Sequence, residues 1–78
     1  MVALSSLSLG QKALIVGFSF DTKEGEAFHQ LGLNPGELLE VVRVVPGGPV
    51  EIKIRGYFLS LNRQEADRIK VKLFVVNQ

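Results

Sequence analysis

Apolar and polar positions alternate with the period of a β-strand through most of this 78-residue chain. From Gln11 to Phe18 one alternate set is Leu14, Val16 and Phe18 and the other is Ala13, Ile15 and Gly17, so both faces are apolar. Gly17 inside that run predicts a bulge or a close backbone approach, as the corner of a small barrel requires. From Leu38 to Val45 almost every residue is apolar and four are valine, which favours a strand over a helix and predicts cover on both faces. Val50 to Ile54 alternates cleanly, with Val50, Ile52 and Ile54 opposed to Glu51 and Lys53. Tyr57 to Leu61 is a further strand. Lys70 to Val76 closes the set, with Val71, Leu73 and Val75 inward and Phe74 and Val76 on a second, partly covered face. Leu4, Leu7 and Leu9 read as a leading segment whose leucines plug one end of the core.

The breaks between these runs carry turn chemistry. Gly32 directly follows the apolar Leu31, where a helix end wants a residue that tolerates positive φ. Pro35-Gly36 fits the two central positions of a type II turn. Pro46-Gly47-Gly48-Pro49 cannot continue a ladder and predicts a reversal between two strands, and Gly56 marks another. Asp21 and Glu24 form a capping-box pattern ahead of a short helix from Thr22 or Lys23 to Leu31, whose apolar stripe is Ala27, Phe28 and Leu31. Asn62 and Glu65 repeat the pattern ahead of a single turn through Ala66 and Ile69. The expectation is an all-β fold: a small barrel of about five strands with one or two short helical insertions, forming a single domain over residues 1–78.

Composition narrows what such a barrel can do. The chain has no cysteine and one histidine, His29, which excludes disulfides, thiolate sites and multi-histidine metal sites. A tight ferrous site on the chain alone is therefore not expected, and neither is a cofactor. No nucleophile has a base to pair with, and the carboxylate pairs Glu24/Glu26 and Glu65/Asp67 fall on short helices as ordinary solvated charge, so the reading is non-enzymatic. No run reaches the ~20 apolar residues that span a bilayer, and the N-terminal residues carry neither a basic nor a long apolar signal region, so a cytoplasmic domain is expected. Charge is uneven: residues 1–40 carry two basic against five acidic side chains, and residues 41–78 carry seven against three. A basic face toward an anionic partner would follow only if those charges also separate in space. With 8% aromatic residues and a pI of about 8.1, nucleic-acid binding is not expected, although Arg55, Tyr57 and Phe58 lie together. With no Trp and one Tyr, a groove for proline-rich peptides is equally disfavoured.

One resemblance runs through nearly the whole chain. Leu7-x-x-Gly10-x-x-Ala13-x-Ile15-x-Gly17 and Leu31-Gly32-Leu33-x-Pro35-Gly36 lead into Val41-Val42-Arg43-x-x-Pro46-x-Gly48-Pro49-Val50-x-Ile52. Gly56-Tyr57-x-Leu59-x-Leu61-x-Arg63-x-Glu65-Ala66-x-x-Ile69-x-Val71 then follows. In this order the residues resemble the FeoA family of small proteins associated with bacterial ferrous-iron transport. The resemblance implies an SH3-like β-barrel, and a non-enzymatic accessory that acts with FeoB, the membrane ferrous-iron transporter with a cytosolic G-protein domain, either as a regulator of nucleotide hydrolysis or as an assembly factor. It also implies a cytoplasmic location, at the inner membrane through the transporter, with no insertion of its own. Ahead of Leu-Gly-Leu, where family members often carry Arg or Lys, this chain has Glu24, Glu26 and Ala27. The alternatives are a FeoA-like domain serving metal-dependent transcriptional regulation and a small-barrel nucleic-acid module. Candidate partner contacts are Phe28, His29 and Leu31 on the insertion helix and Lys53 and Arg55 on the outward face of the hairpin. Phe28 fits a docking anchor or a core anchor equally well.

Overall fold

A computed structural model describes residues 1–19 and 22–75, with residue 22 described by its backbone alone. In chain order the strands are β1 (Val2–Ala3), β2 (Lys12–Phe18), β3 (Leu38–Val44), β4 (Val50–Ile54), β5 (Tyr57–Leu61) and β6 (Ile69–Phe74). A 3-10 turn at Leu4–Ser6, helix α1 (Thr22–Gln30) and helix α2 (Arg63–Arg68) lie between them. The strands form one antiparallel sheet in the order β1-β6-β2-β3-β4-β5. Strands β2 to β5 make a meander, and β6 returns to pair with β2, which curls the sheet around its own inner face. This is an SH3-like barrel.

The two-residue period decides which side chains fill it. Ile15, Leu39, Val41, Ile52, Ile54 and Val71 are all buried on the inner face, and among the described residues no polar or charged residue is buried with them. Leu4, at 0% exposed, and Leu7 close one end as expected, but Leu9 is 68% exposed. It sits in a tight turn held by Gln11 N–H donating to the Ser8 carbonyl (3.1 Å), which aims it at solvent. The predicted bulge at Gly17 is present as a register shift between Ile15 and Gly17 against β6. A second shift, between Val41 and Arg43, returns Val44 to the core side opposite Val50.

Two expectations of covered strands need correction. Leu38, on the outer face of β3, is 42% exposed. The strand is apolar on both sides because the bulge swaps its inward set midway, not because something packs on its outer face. In β6 the inward series stops at Val71: Leu73 is 43% and Val75 72% exposed, with Gly10, Gln11 and Lys12 lying nearby. The expected contribution of Val76, and the cap at Asp21, lie outside the described residues. Strand β1 escapes a periodicity argument because two residues have no period; it exists through pairing of Val2 with Val71 and Ala3 with Lys70.

Candidate functional site

Helix α1 ends in a full Schellman arrangement. Gly32 N–H donates to the His29 carbonyl (3.0 Å), Leu33 N–H donates to the Phe28 carbonyl (3.0 Å), and Leu33 is fully buried beneath. The left-handed φ of +86° at Gly32 makes this geometry possible, and a Cβ there would lie 2.8 Å from the Tyr57 hydroxyl oxygen. That hydroxyl donates to the Leu31 carbonyl, so the tip of the β4–β5 hairpin ties down the end of α1. Directly afterwards, Glu37 N–H donates to the Asn34 carbonyl (3.1 Å) and Gly36 has a φ of +91°, which is the expected type II turn.

Helix α2 begins with the capping box read from the sequence: the Asn62 side chain accepts from Glu65 N–H (2.7 Å), and Asn62 N–H donates to Glu65 Oε1 (2.9 Å). Between the two helices runs a groove of about 320 Å³ lined by Ala27, Phe28, Leu31, Asn62, Gln64 and Glu65. The Glu24–Arg68 ion pair (3.3 Å) joins α1 to α2 beside it. Phe28 is the floor of this groove. At 6% exposed, with its ring centroid 5.9 Å from that of Phe18, it seats α1 on the barrel. Of the two readings of Phe28, this burial against Phe18 favours the core anchor, since little of the ring is left to enter a partner's pocket. Leu31, 44% exposed, is the apolar group the groove offers to solvent.

The other sequence-nominated residues fall elsewhere. His29 is exposed in the last turn of α1, outside the groove lining. Lys53 and Arg55 are exposed and border a separate depression of about 180 Å³, with Lys12, Leu38 and Glu40. Arg55 also pairs with Glu37 (3.4 Å) and has a φ of +52°, so it is the first turn residue of the β4–β5 hairpin and not a plain outward strand position. Of the nominated residues, Phe28 and Leu31 thus share the groove, Lys53 and Arg55 share the second depression, and His29 lines neither. Sequence reasoning gave Arg63 no structural role, yet its guanidinium donates to the carbonyls of Ser5 (3.1 Å) and Val45 (3.0 Å) and staples the N-terminal turn and the β3–β4 turn to α2. A lone arginine at a helix start carries no pattern that reveals this.

The polar groups around the groove are largely committed to structure: Glu24 and Arg68 to each other, Asn62 and Glu65 to the helix cap. Among the described residues no cluster of three His, Cys, Asp or Glu side chains could hold a metal ion, and no helix is long and apolar enough to cross a membrane. What remains is a shallow, half-apolar cleft between two short helices on the barrel. The fold is that of a small SH3-like domain, with this cleft between its two helices. The chain belongs to the FeoA domain family, which it matches over residues 2–73.

Solved structures agree with that assignment. The crystal structure of an iron uptake regulatory protein (FeoA) is similar at 26% identity with a TM-score of 0.87, covering 94% of this chain and 97% of that one. The FeoA protein from Chlorobium tepidum is similar at 29% identity and a TM-score of 0.87, over 99% of this chain and 74% of that one. A manganese-dependent transcriptional repressor in complex with manganese shares the fold alone: at 20% identity and a TM-score of 0.84, the match covers 92% of this chain and 36% of the repressor. No curated protein matches the chain.

Proposed function

We propose that this chain is a non-enzymatic accessory of bacterial ferrous-iron uptake that acts by binding the cytosolic portion of a FeoB-type transporter. The observation that carries the reading is the FeoA-domain match over residues 2–73, on a barrel with an open cleft between α1 and α2. The cleft has the chemistry of a binding surface: an exposed Leu31 over a Phe28 floor, rimmed by side chains already held in caps and an ion pair. Leu31 is the principal apolar contact. His29 lies on the exposed side of the same helix, and Lys53 and Arg55 supply a charged flank that steers association. The chain works in the cytoplasm and reaches the inner membrane in company with the transporter.

A second reading, service as the FeoA-like domain of a metal-dependent transcriptional regulator, is favoured by the fold shared with the manganese-dependent repressor. Ferrous-iron uptake separates the two. Cells that carry the transporter but lack this chain should take up ferrous iron more slowly. Wild-type chain should restore uptake without a change in transporter transcript, and Leu31→Asp should not. Unimpaired uptake in its absence would overturn the accessory role, and restoration only through altered transcript levels would favour the regulator.

A further inference from the structure

We infer that the outer face of the β-sheet is a docking surface for an anionic lipid bilayer, separate from the helix groove, with Lys53 and Arg55 at its border serving also as the charged flank of the transporter contact. Cross-strand register places the relevant side chains. Inward residues alternate with outward ones, so one outer row reads Phe74, Lys12, Glu40, Lys53, Phe58 across β6, β2, β3, β4 and β5. The next row reads Lys72, Leu14, Leu38, and Lys70 lies further along β6 opposite Gly17. Lys12, Lys53, Lys70 and Lys72 are all exposed, and among the described residues none of the four takes part in an ion pair. The other charges nearby are balanced, Arg43 by Glu51 (3.6 Å) and Arg55 by Glu37 (3.4 Å). Four lysines therefore face the single carboxylate of Glu40. Three of these lysines come from the basic half of the sequence, and the fold brings Lys12 of the acidic half to join them.

The apolar half of the argument lies among the same lysines. Val16, Leu38 and Phe74 are 40%, 42% and 43% exposed and Phe58 is 66% exposed, all on outward positions. A mixed basic and apolar surface matches the boundary between phosphate headgroups and acyl chains, where lysine stems lie along apolar surface and their ammonium groups reach the phosphates. Lys12, Lys53 and Arg55 border a depression of about 180 Å³ that Glu40 also lines, so the lysine ammonium groups on its rim, and not its floor, are the contacts for headgroup phosphates. Shape separates this from nucleic-acid binding. The sheet curls around its core, so its outer face is convex and offers no groove of the kind that holds a single strand.

The test uses the full chain and protein-free vesicles in a sedimentation assay. Vesicles of phosphatidylcholine with phosphatidylglycerol should bind the chain, and vesicles of phosphatidylcholine alone should not. Raising the ionic strength from about 0.1 M to about 1 M, which shortens the Debye length from about 10 Å to about 3 Å, should release it. Each lysine near such a surface contributes about fivefold in partitioning, so Lys12→Glu with Lys72→Glu should lower binding by at least about thirtyfold. Lys23→Glu on α1 changes net charge without touching the face and should leave binding within about twofold, against at least fivefold for Lys72→Glu alone. Lys12→Gln with Lys72→Gln keeps the test valid if charge reversal unfolds the chain. Failure to bind anionic vesicles overturns the inference, as does equal loss from Lys23→Glu and Lys72→Glu. Tighter binding to a single-stranded oligonucleotide than to vesicles at the same salt assigns the face to nucleic acid instead. Because no transporter is present, none of these outcomes bears on the transporter reading.

Discussion

Truncating Phe28 to alanine removes a ring that is 6% exposed and packs against Phe18 at 5.9 Å. Phe→Ala at a buried site costs about 3–5 kcal/mol, through lost transfer free energy and the cavity left behind. The groove is open on one side here, so Leu31 can partly collapse into the void and the lower figure, about 3 kcal/mol, is the expected one. At ~0.05–0.15 kcal/mol per residue, a domain of this length has a total stability of about 4–12 kcal/mol. The single change thus removes a quarter or more of that. With an m-value of about 1 kcal/mol/M in urea, the midpoint should fall by about 3 M. The melting temperature should fall by at least about 12 °C. Far-UV circular dichroism is the suitable probe because the chain has no tryptophan and one tyrosine. A midpoint within about 0.5 M of wild type would refute the packing argument and return Phe28 to the pool of exposed contacts.

Three other substitutions test separate parts of the fold. Gly36→Val should cost about 1–3 kcal/mol purely through the backbone, because φ is +91° and a Cβ there would meet nothing within 4 Å; a denaturation midpoint equal to wild type would mean the type II turn is misassigned. Arg63→Lys should cost about 1–3 kcal/mol, since one ammonium cannot serve the carbonyls of both Ser5 and Val45, and unchanged stability would show that the staple is dispensable. Arg55→Asn should stabilise by up to about 1 kcal/mol by relieving the left-handed conformation at φ +52°. The exposed pair with Glu37 offsets only a few tenths of that gain, and a lower thermal midpoint would contradict the turn assignment.

Much of the barrel was legible because its signals are local. The alternation in Val50 to Ile54, the turn residues Pro35-Gly36 and Gly56, and the Asn62/Glu65 cap each determine a few backbone angles by themselves, and all appear where expected. The features that escaped are tertiary. Strand β1 exists only by pairing with β6, and Arg63 acquires its role from carbonyls 58 and 18 residues away in sequence. Leu73 and Val75 keep the right period but lie beyond the end of the core, which no periodicity reveals. The candidate site was legible by half. Leu31 and Phe28 were nominated from a helical stripe, but a wheel cannot tell the residue that floors a groove from the one that rims it. Lys53 and Arg55 belong to a different face, because strand register and not chain proximity decides their neighbours.

The most direct test of the proposed function is isothermal titration calorimetry of the purified chain against the cytosolic portion of a ferrous-iron transporter from the same cell, with wild type and Leu31→Asp compared. Leu31 is 44% exposed and lines the groove, so the variant should keep its urea midpoint while losing at least tenfold in affinity, about 1.4 kcal/mol. Saturable binding by wild type with that loss is the predicted result. No binding by folded wild-type chain, or undiminished binding by Leu31→Asp, would contradict it.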